Sequence, residues 1–242
     1  ISGNLSTGLS VSGQDMIIKS NIIGLDKQQK IAIPNKFGIG ASTYSGTLVI
    51  GDTVGNLSNV IAGNNGDGVS IRGASVKNVI IARNVIGANI DTSLIFPNKG
   101  SGIIMTHSLS DIKIKDNLIS ADSLHGIRIE RNVVIFLDTT KPNIIQKPSN
   151  ITIKNNCIGC AGSNVKLGKH GGSGISVLNS DSIFIDSNTI TGTAGSGIDI
   201  ANDSTRFIRI THNEIGPIRN TVEEQRIGGD GIHVSGAKDV YV

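Results

Sequence analysis

Three observations predict that this 242-residue chain folds as an all-β solenoid, a right-handed parallel β-helix of about seven to eight coils with alternating long and short arms. First, the chain repeats. Ile1–Gly13 (ISGNLSTGLSVSG) and Ile61–Gly73 (IAGNNGDGVSIRG) share six of thirteen positions, and the frame returns at Gly100–Met105, His125–Ile129, Gly172–Val177, Gly195–Ile200 and Gly229–Val234. Copies of one small unit stack on their neighbours instead of collapsing around one centre. Second, each unit alternates apolar and polar residues with a period of two, the mark of strands with one buried face. The segments are too short and too rich in β-branched residues for helices. Third, the spacing between segments leaves room for turns and no helix, so strands of successive coils must lie side by side, about 4.8 Å apart.

Each element follows from the unit. The first strand is a Gly followed by aliphatic–variable–aliphatic, as in Gly68-Val69-Ser70-Ile71. Its inward residues form a predicted ladder of Leu9, Val69, Ile103, Ile127, Ile175, Ile198 and Ile232. The second strand ends in Asn, as in DIKIKDN (Asp111–Asn117) and FIRITHN (Phe207–Asn213). These terminal residues predict an Asn ladder of Asn21, Asn59, Asn84, Asn117, Asn156, Asn188 and Asn213. Asn tolerates left-handed backbone at a bend, and its amide can pair with the Asn of the next coil and with freed backbone groups. One variable residue, Ile and often Gly come next. From the ladder Asn to the next strand-leading Gly the spacings alternate, 19, 9, 18, 9, 18, 9 and 18 when Gly40 is taken for the first. The long arms resemble one another (IAIPNKFG at Ile31–Gly38, LIFPNKG at Leu94–Gly100), so every second coil projects an arm on one side.

Two regions depart from the unit. An excess of chain at 133–149, with two prolines, predicts an inserted loop or hairpin;. The chain also begins and ends inside repeats, which predicts a single 1–242 segment belonging to a longer chain with flanking domains. Cys157 and Cys160 are the only cysteines. A lone pair cannot supply four zinc ligands and no thioredoxin-like βαβ surrounds it, which leaves a local disulfide or two free thiols. Net charge is only +3 with no basic block, Trp is absent and there are seven other aromatics, so nucleic acid is not an expected partner;. No apolar run reaches the length of a membrane span.

The repeat resembles right-handed β-helix proteins of the pectate-lyase-like superfamily. Its N-x-I-G and P-N-x-x-G arms are most similar to repeat regions of large secreted and cell-surface bacterial proteins. The resemblance covers essentially the whole chain and implies the fold. That superfamily holds pectin and alginate lyases, polygalacturonases, epimerases, phage tailspikes and non-catalytic adhesins, so the fold does not fix the activity. The polygalacturonase-type clusters (NTD, DD, GHG, RIK) are incomplete; only fragments such as Lys169-His170-Gly171 and Asp230-Gly231 remain. The calcium-binding GGxGxD repeat is approached only at Gly195–Asp199, so no cofactor is implied, and calcium is open without being indicated.

The best candidate site is a column. The residue between the two inward aliphatics of the first strand points outward and reads Ser10, Ser70, Ile104, Arg128, Ser176, Asp199, His233 down the stack. An acid, a histidine and an arginine in line could perform general acid–base work on a polysaccharide. Asp199 would be the acid or base, His233 its partner and Arg128 the group binding a substrate carboxylate. Phe184 and Tyr241 are placed outward in the second strand's column, with Lys113, Thr152 and Arg209. The expected role is an extracellular or cell-surface structural or adhesive segment, with a polysaccharide or another surface protein as partner. The alternatives are a polysaccharide-active enzyme (lyase, hydrolase or epimerase) using that column, and a glycan-binding module or viral receptor-binding spike.

Overall fold

The computed structural model describes residues 1–55, 58–73, 76–120, 122–131, 147–160, 169–217 and 226–242. Among these residues there is no helix, and every strand pairing is parallel. The strands make three stacks. The first holds the opening part of β1 (Thr7–Ile18) and of β3 (Phe37–Gly51), then β5 (Val69–Arg72), β8 (Ile103–Thr106), β11 (Ile127–Glu130), β14 (Ile175–Leu178), β17 (Ile198–Ala201) and β20 (Ile232–Ser235). The second holds the closing parts of β1 and β3, then β6 (Val76–Ala82), β9 (Leu109–Lys115), β12 (Ser149–Lys154), β15 (Asp181–Asp186), β18 (Arg206–Thr211) and β21 (Lys238–Tyr241). The third is built from two-residue strands: β2 (Ile22–Ile23), β4 (Val60–Ile61), β7 (Val85–Ile86), β10 (Leu118–Ile119), β13 (Cys157–Ile158), β16 (Thr189–Ile190) and β19 (Glu214–Ile215). The first two stacks form one fourteen-stranded sheet because β3 runs through both, and the third stack is a separate seven-stranded sheet.

The core is a set of ladders. The third stack places isoleucine at one inward position in seven successive coils: Ile23, Ile61, Ile86, Ile119, Ile158, Ile190 and Ile215. The first-strand ladder runs Leu9, Ile39, Val69, Ile103, Ile127, Ile175, Ile198, Ile232 in register. A β-branched side chain stacks well on its copy one strand spacing away, and full burial contributes about 1.5–3 kcal/mol per residue. These ladders merge into one apolar cluster along the whole stack.

The structure corrects the reading in places. The strand-leading glycine of the second coil is Gly38, not Gly40, because Ile39 pairs with Val69 and Gly40 with Ser70. Its distance from Asn21 is therefore 17 residues. In the first two coils the two strands do not separate: β1 and β3 run on as 12- and 15-residue strands. The pairing absorbs the turn through register shifts at Val11/Ser12 and Gln14/Met16, a bulge in place of a loop. Of the predicted insertion, 133–146 lies outside the described residues, and Ser149 already belongs to β12. The two described long arms, near Leu25–Ala32 and Ala88–Ile95, are each closed by an antiparallel bridge. Gln29 of the first arm accepts a hydrogen bond from the Ile90 amide of the second (2.8 Å), which ties the arms together along the rod.

Candidate functional site

The outward column is assembled as drawn, with Gly40 filling the gap between Ser10 and Ser70. Arg128 pairs with Ser176, Ser176 with Asp199, and Asp199 with His233. The column does not converge into one cluster. Arg128 turns along its own strand and donates to Glu130 from Nε (2.9 Å) and Nη2 (2.6 Å). His233 Nδ1 meets Asp230 Oδ2 at 3.1 Å instead of Asp199. Ser176 was expected to face solvent but is buried, as is Ser70. The register partners of Ser176 on either side are Arg128 and Asp199. The residue that sequence reasoning missed here is His125. It is partly buried, and burial and then Arg128 lower its pKa, while the Ser173 amide, Asp199 and Glu130 oppose them. Its Nδ1 accepts a hydrogen bond from the Ser173 amide (3.0 Å).

On the second stack the outward column reads Ile80, Lys113, Thr152, Phe184, Arg209, Tyr241. The Arg209 guanidinium lies 5.5 Å from the Tyr241 ring centroid. At the end of these strands Asp186 is gripped by Lys154 (2.7 Å) and His212 (2.9 Å). With Thr211, they hold its carboxyl well below the usual carboxylate range.

The bend between the second and third stacks carries the Asn ladder. From Asn59 onward each Oδ1 accepts from the side-chain Nδ2 of the Asn before it, and on every rung but Asn59–Asn84 from that residue's backbone N–H as well, as Asn156 does from Asn117 (2.9 and 3.0 Å). The chain of contacts runs unbroken from Asn21 to Asn213. Each Nδ2 also caps a carbonyl freed at the bend, as Asn156 does for Ile114 (3.0 Å).

A second polar ladder lies at the opposite bend, before the first stack: Asn4, Asn35, Asn64, Asn98, Asp122, His170. Its signal is an Asn, Asp or His three or four residues ahead of the strand glycine, as in Asn64-x-x-x-Gly68 and Asp122-x-x-x-Gly126. Those glycines are required by closeness to the ladder. A Cβ on Gly68 would stand 2.7 Å from the Gly102 carbonyl and 3.0 Å from Asn98 Nδ2. This ladder changes chemistry halfway. Asp122 is fully buried; its Oδ1 accepts two bonds from Asn98 (2.9 and 3.1 Å), while Oδ2 has no partner. Burial pushes its pKa up to about 8. His170 is equally buried, accepts from the Asp122 amide through Nδ1 (3.1 Å) and leaves Nε2 without a hydrogen bond. Burial pushes its pKa down to about 4.

Cys157 and Cys160 form a disulfide across the bend after β13, with Cα atoms 5.6 Å apart. Among the described residues no group of three or more His, Cys, Asp or Glu is arranged to hold a metal, and no helix is long and apolar enough to cross a membrane.

Comparison with known proteins places this geometry. No curated protein sequence matches the chain. Among solved structures it is similar to the A-module of the mannuronan C-5 epimerase of Azotobacter vinelandii, at 15% identity and a TM-score of 0.49. The match covers 86% of this chain and 53% of that module's chain, so this chain spans about half its length. The family model described as right-handed beta helix region matches residues 1–213. With its parallel coils, its inward isoleucine ladders and that match, the chain belongs to the right-handed β-helix family.

Proposed function

We propose that this chain is a structural or adhesive β-helix segment of a secreted or cell-surface protein and does not turn over substrate. The observation that carries this reading is the local pairing of the outward column. Arg128 is engaged by Glu130 and His233 by Asp230. Among the described residues Asp199 shares no hydrogen bond with His233, although the two are register partners. A general acid–base pair needs its members within hydrogen-bond reach of a common reacting atom. Groups paired along their own coils are what a solvated face provides. The Cys157–Cys160 disulfide supports an oxidising compartment;. The test is a panel of acidic and neutral polysaccharides, with and without calcium, scored for unsaturated and reducing ends. No product is expected.

One observation favours the alternative of a polysaccharide-active enzyme. His125, two residues ahead of β11, is close enough to Arg128, Glu130 and Asp199 for their charges to act on it. Turnover that disappears in Asp199→Ala while the fold survives would establish this alternative and remove the scaffold reading.

A further inference from the structure

The third stack ends in the same bend on several coils. A two-residue strand runs into a glycine in left-handed backbone: Gly24 (φ 93°), Gly87 (φ 81°) and Gly159 (φ 77°). The amides of these glycines donate to the preceding coil, at the carbonyls of Ile1, Ile61 and Ile119 (2.9, 3.0 and 2.7 Å). The residue after the glycine is buried in all three: Leu25, Ala88 and Cys160. The residue that opens the strand is half-buried in all three: Ile22, Val85 and Cys157. Two of these coils therefore build the bend, and fill both positions, without a cross-link. The third carries the Cys157–Cys160 disulfide.

That disulfide adds little to the hold which the neighbouring coils already exert. It joins residues three apart, and closing so short a loop removes little freedom from the unfolded chain. The Cys157 amide donates to Asn117 of the coil before (2.8 Å), and Ile158 accepts from Thr191 of the coil after (2.9 Å). β13 is thus fastened to β10 on one side and β16 on the other. The two cysteines differ in access. Cys160 is only 7% exposed, whereas Cys157 is half-buried. A reduced Cys160 is a small apolar side chain in the place that Leu25 and Ala88 fill on their coils. A reduced Cys157 stands where Ile22 and Val85 stand. The dithiol and the disulfide therefore fit the same coil.

We infer that Cys157–Cys160 is an exchangeable redox couple, a site of thiol–disulfide exchange that takes a dithiol as its reductant and leaves the rod folded in both states. A thiolate of the dithiol attacks the more accessible sulfur, Cys157 Sγ. A new S–S bond forms there, and the Cys157–Cys160 bond breaks with its electron pair going to Cys160 Sγ, which takes up a proton. The second thiol of the reductant then attacks the reductant's own sulfur in the mixed disulfide. The reductant leaves as a cyclic disulfide, and Cys157 is released and protonated. Two electrons and two protons pass from the dithiol to the pair, and a small disulfide reverses the exchange. In an oxidising compartment the resting form is the disulfide. The inference stands whether the rod is adhesive or catalytic.

The test treats the folded, oxidised 242-residue chain with dithiothreitol and counts thiols by N-ethylmaleimide labelling and mass spectrometry. Both thiols are expected to appear without denaturant, and glutathione disulfide should close the pair again. The reduced chain should melt within about 4 °C of the oxidised one. These readouts use the wild-type chain and need no variant to fold. Cys160→Ser, exposed to glutathione disulfide, should retain one glutathione at Cys157. Cys157→Ser should react at least about tenfold more slowly, because its remaining thiol is buried;. A disulfide that resists dithiothreitol until urea unfolds the chain overturns the inference. So does a larger fall in melting temperature on reduction, which makes the bond a structural staple. Equal glutathionylation of the two variants overturns it too, since attack would then not depend on access to Cys157.

Discussion

The two polar ladders occupy opposite bends of the same coils and solve the same problem with different chemistry. Both cap backbone groups that a turn would leave unpaired inside the rod. The ladder from Asn21 to Asn213 uses Asn on every coil, and an amide carries both the donor and the acceptor that each rung needs;. The other begins identically, then passes through Asp122 and His170. A carboxyl cannot supply the amide donor of a rung: Asp122 accepts through Oδ1, burial favours its protonated form, and its Oδ2 stays unpaired. A neutral imidazole has one acceptor and one donor, so His170 keeps the acceptor side of the rung while its Nε2 goes unanswered. The first ladder is indifferent to pH, whereas the second ties the fold to two titrations.

The comparison breaks most severely at Asn156→Leu. That change removes two bonds accepted from Asn117 and those donated to Ile114, Lys154 and Asn188. The expected cost is about 4 kcal/mol, read as a lower urea midpoint. A cost below 1 kcal/mol would mean that the ladder only accompanies the fold.

Asp122→Asn should do the opposite, since it restores the residue that the preceding rungs carry. A carboxyl whose folded pKa is raised to about 8 contributes stability that is full below the unfolded value near 4;. That stability is lost as pH rises toward 8;. The variant should therefore gain about 2–3 kcal/mol at pH 8 and less at pH 5, by urea denaturation. An unchanged or lower midpoint at pH 8 would show that Asp122 is accommodated as the anion.

His170→Asn sharpens the acid side. With its folded pKa lowered to about 4, His170 contributes stability that is full above the unfolded value of 6.5 and is lost as pH falls to 4;. In the wild-type chain the slopes of these two groups oppose each other between about pH 4 and 6.5, so their sum is nearly flat there and falls from 6.5 to 8;. Removing His170 should tilt that plateau, making the variant about 1 kcal/mol more stable relative to wild type at pH 5 than at pH 7. Parallel curves would show that His170 titrates normally.

How much of this was readable beforehand differs between the ladders. Asn21 to Asn213 stand out in the sequence because each closes an alternating strand and precedes x-Ile, a fixed frame on every coil. The second ladder changes residue type and follows arms of varying length, so only its spacing to the strand glycine marks it. The candidate column was also legible in outline, since period two fixes which residues point outward. The partners of those residues were not. Arg128 with Glu130, and His233 with Asp230, are choices among rotamers that become definite once neighbouring coils occupy the remaining space.

The sequence alone determined the coil and, outside the second coil, its inward residues, because period-two patterning and β-branched side chains act locally and repeat. The tertiary structure decided what stacking brings together from separate coils: Asp122 sealed from water beside His170, and Ser176 buried between its register partners Arg128 and Asp199. Burial, charge and strain depend on what the adjacent coils place next to a residue. A chain that meets itself once per coil settles those only when it closes.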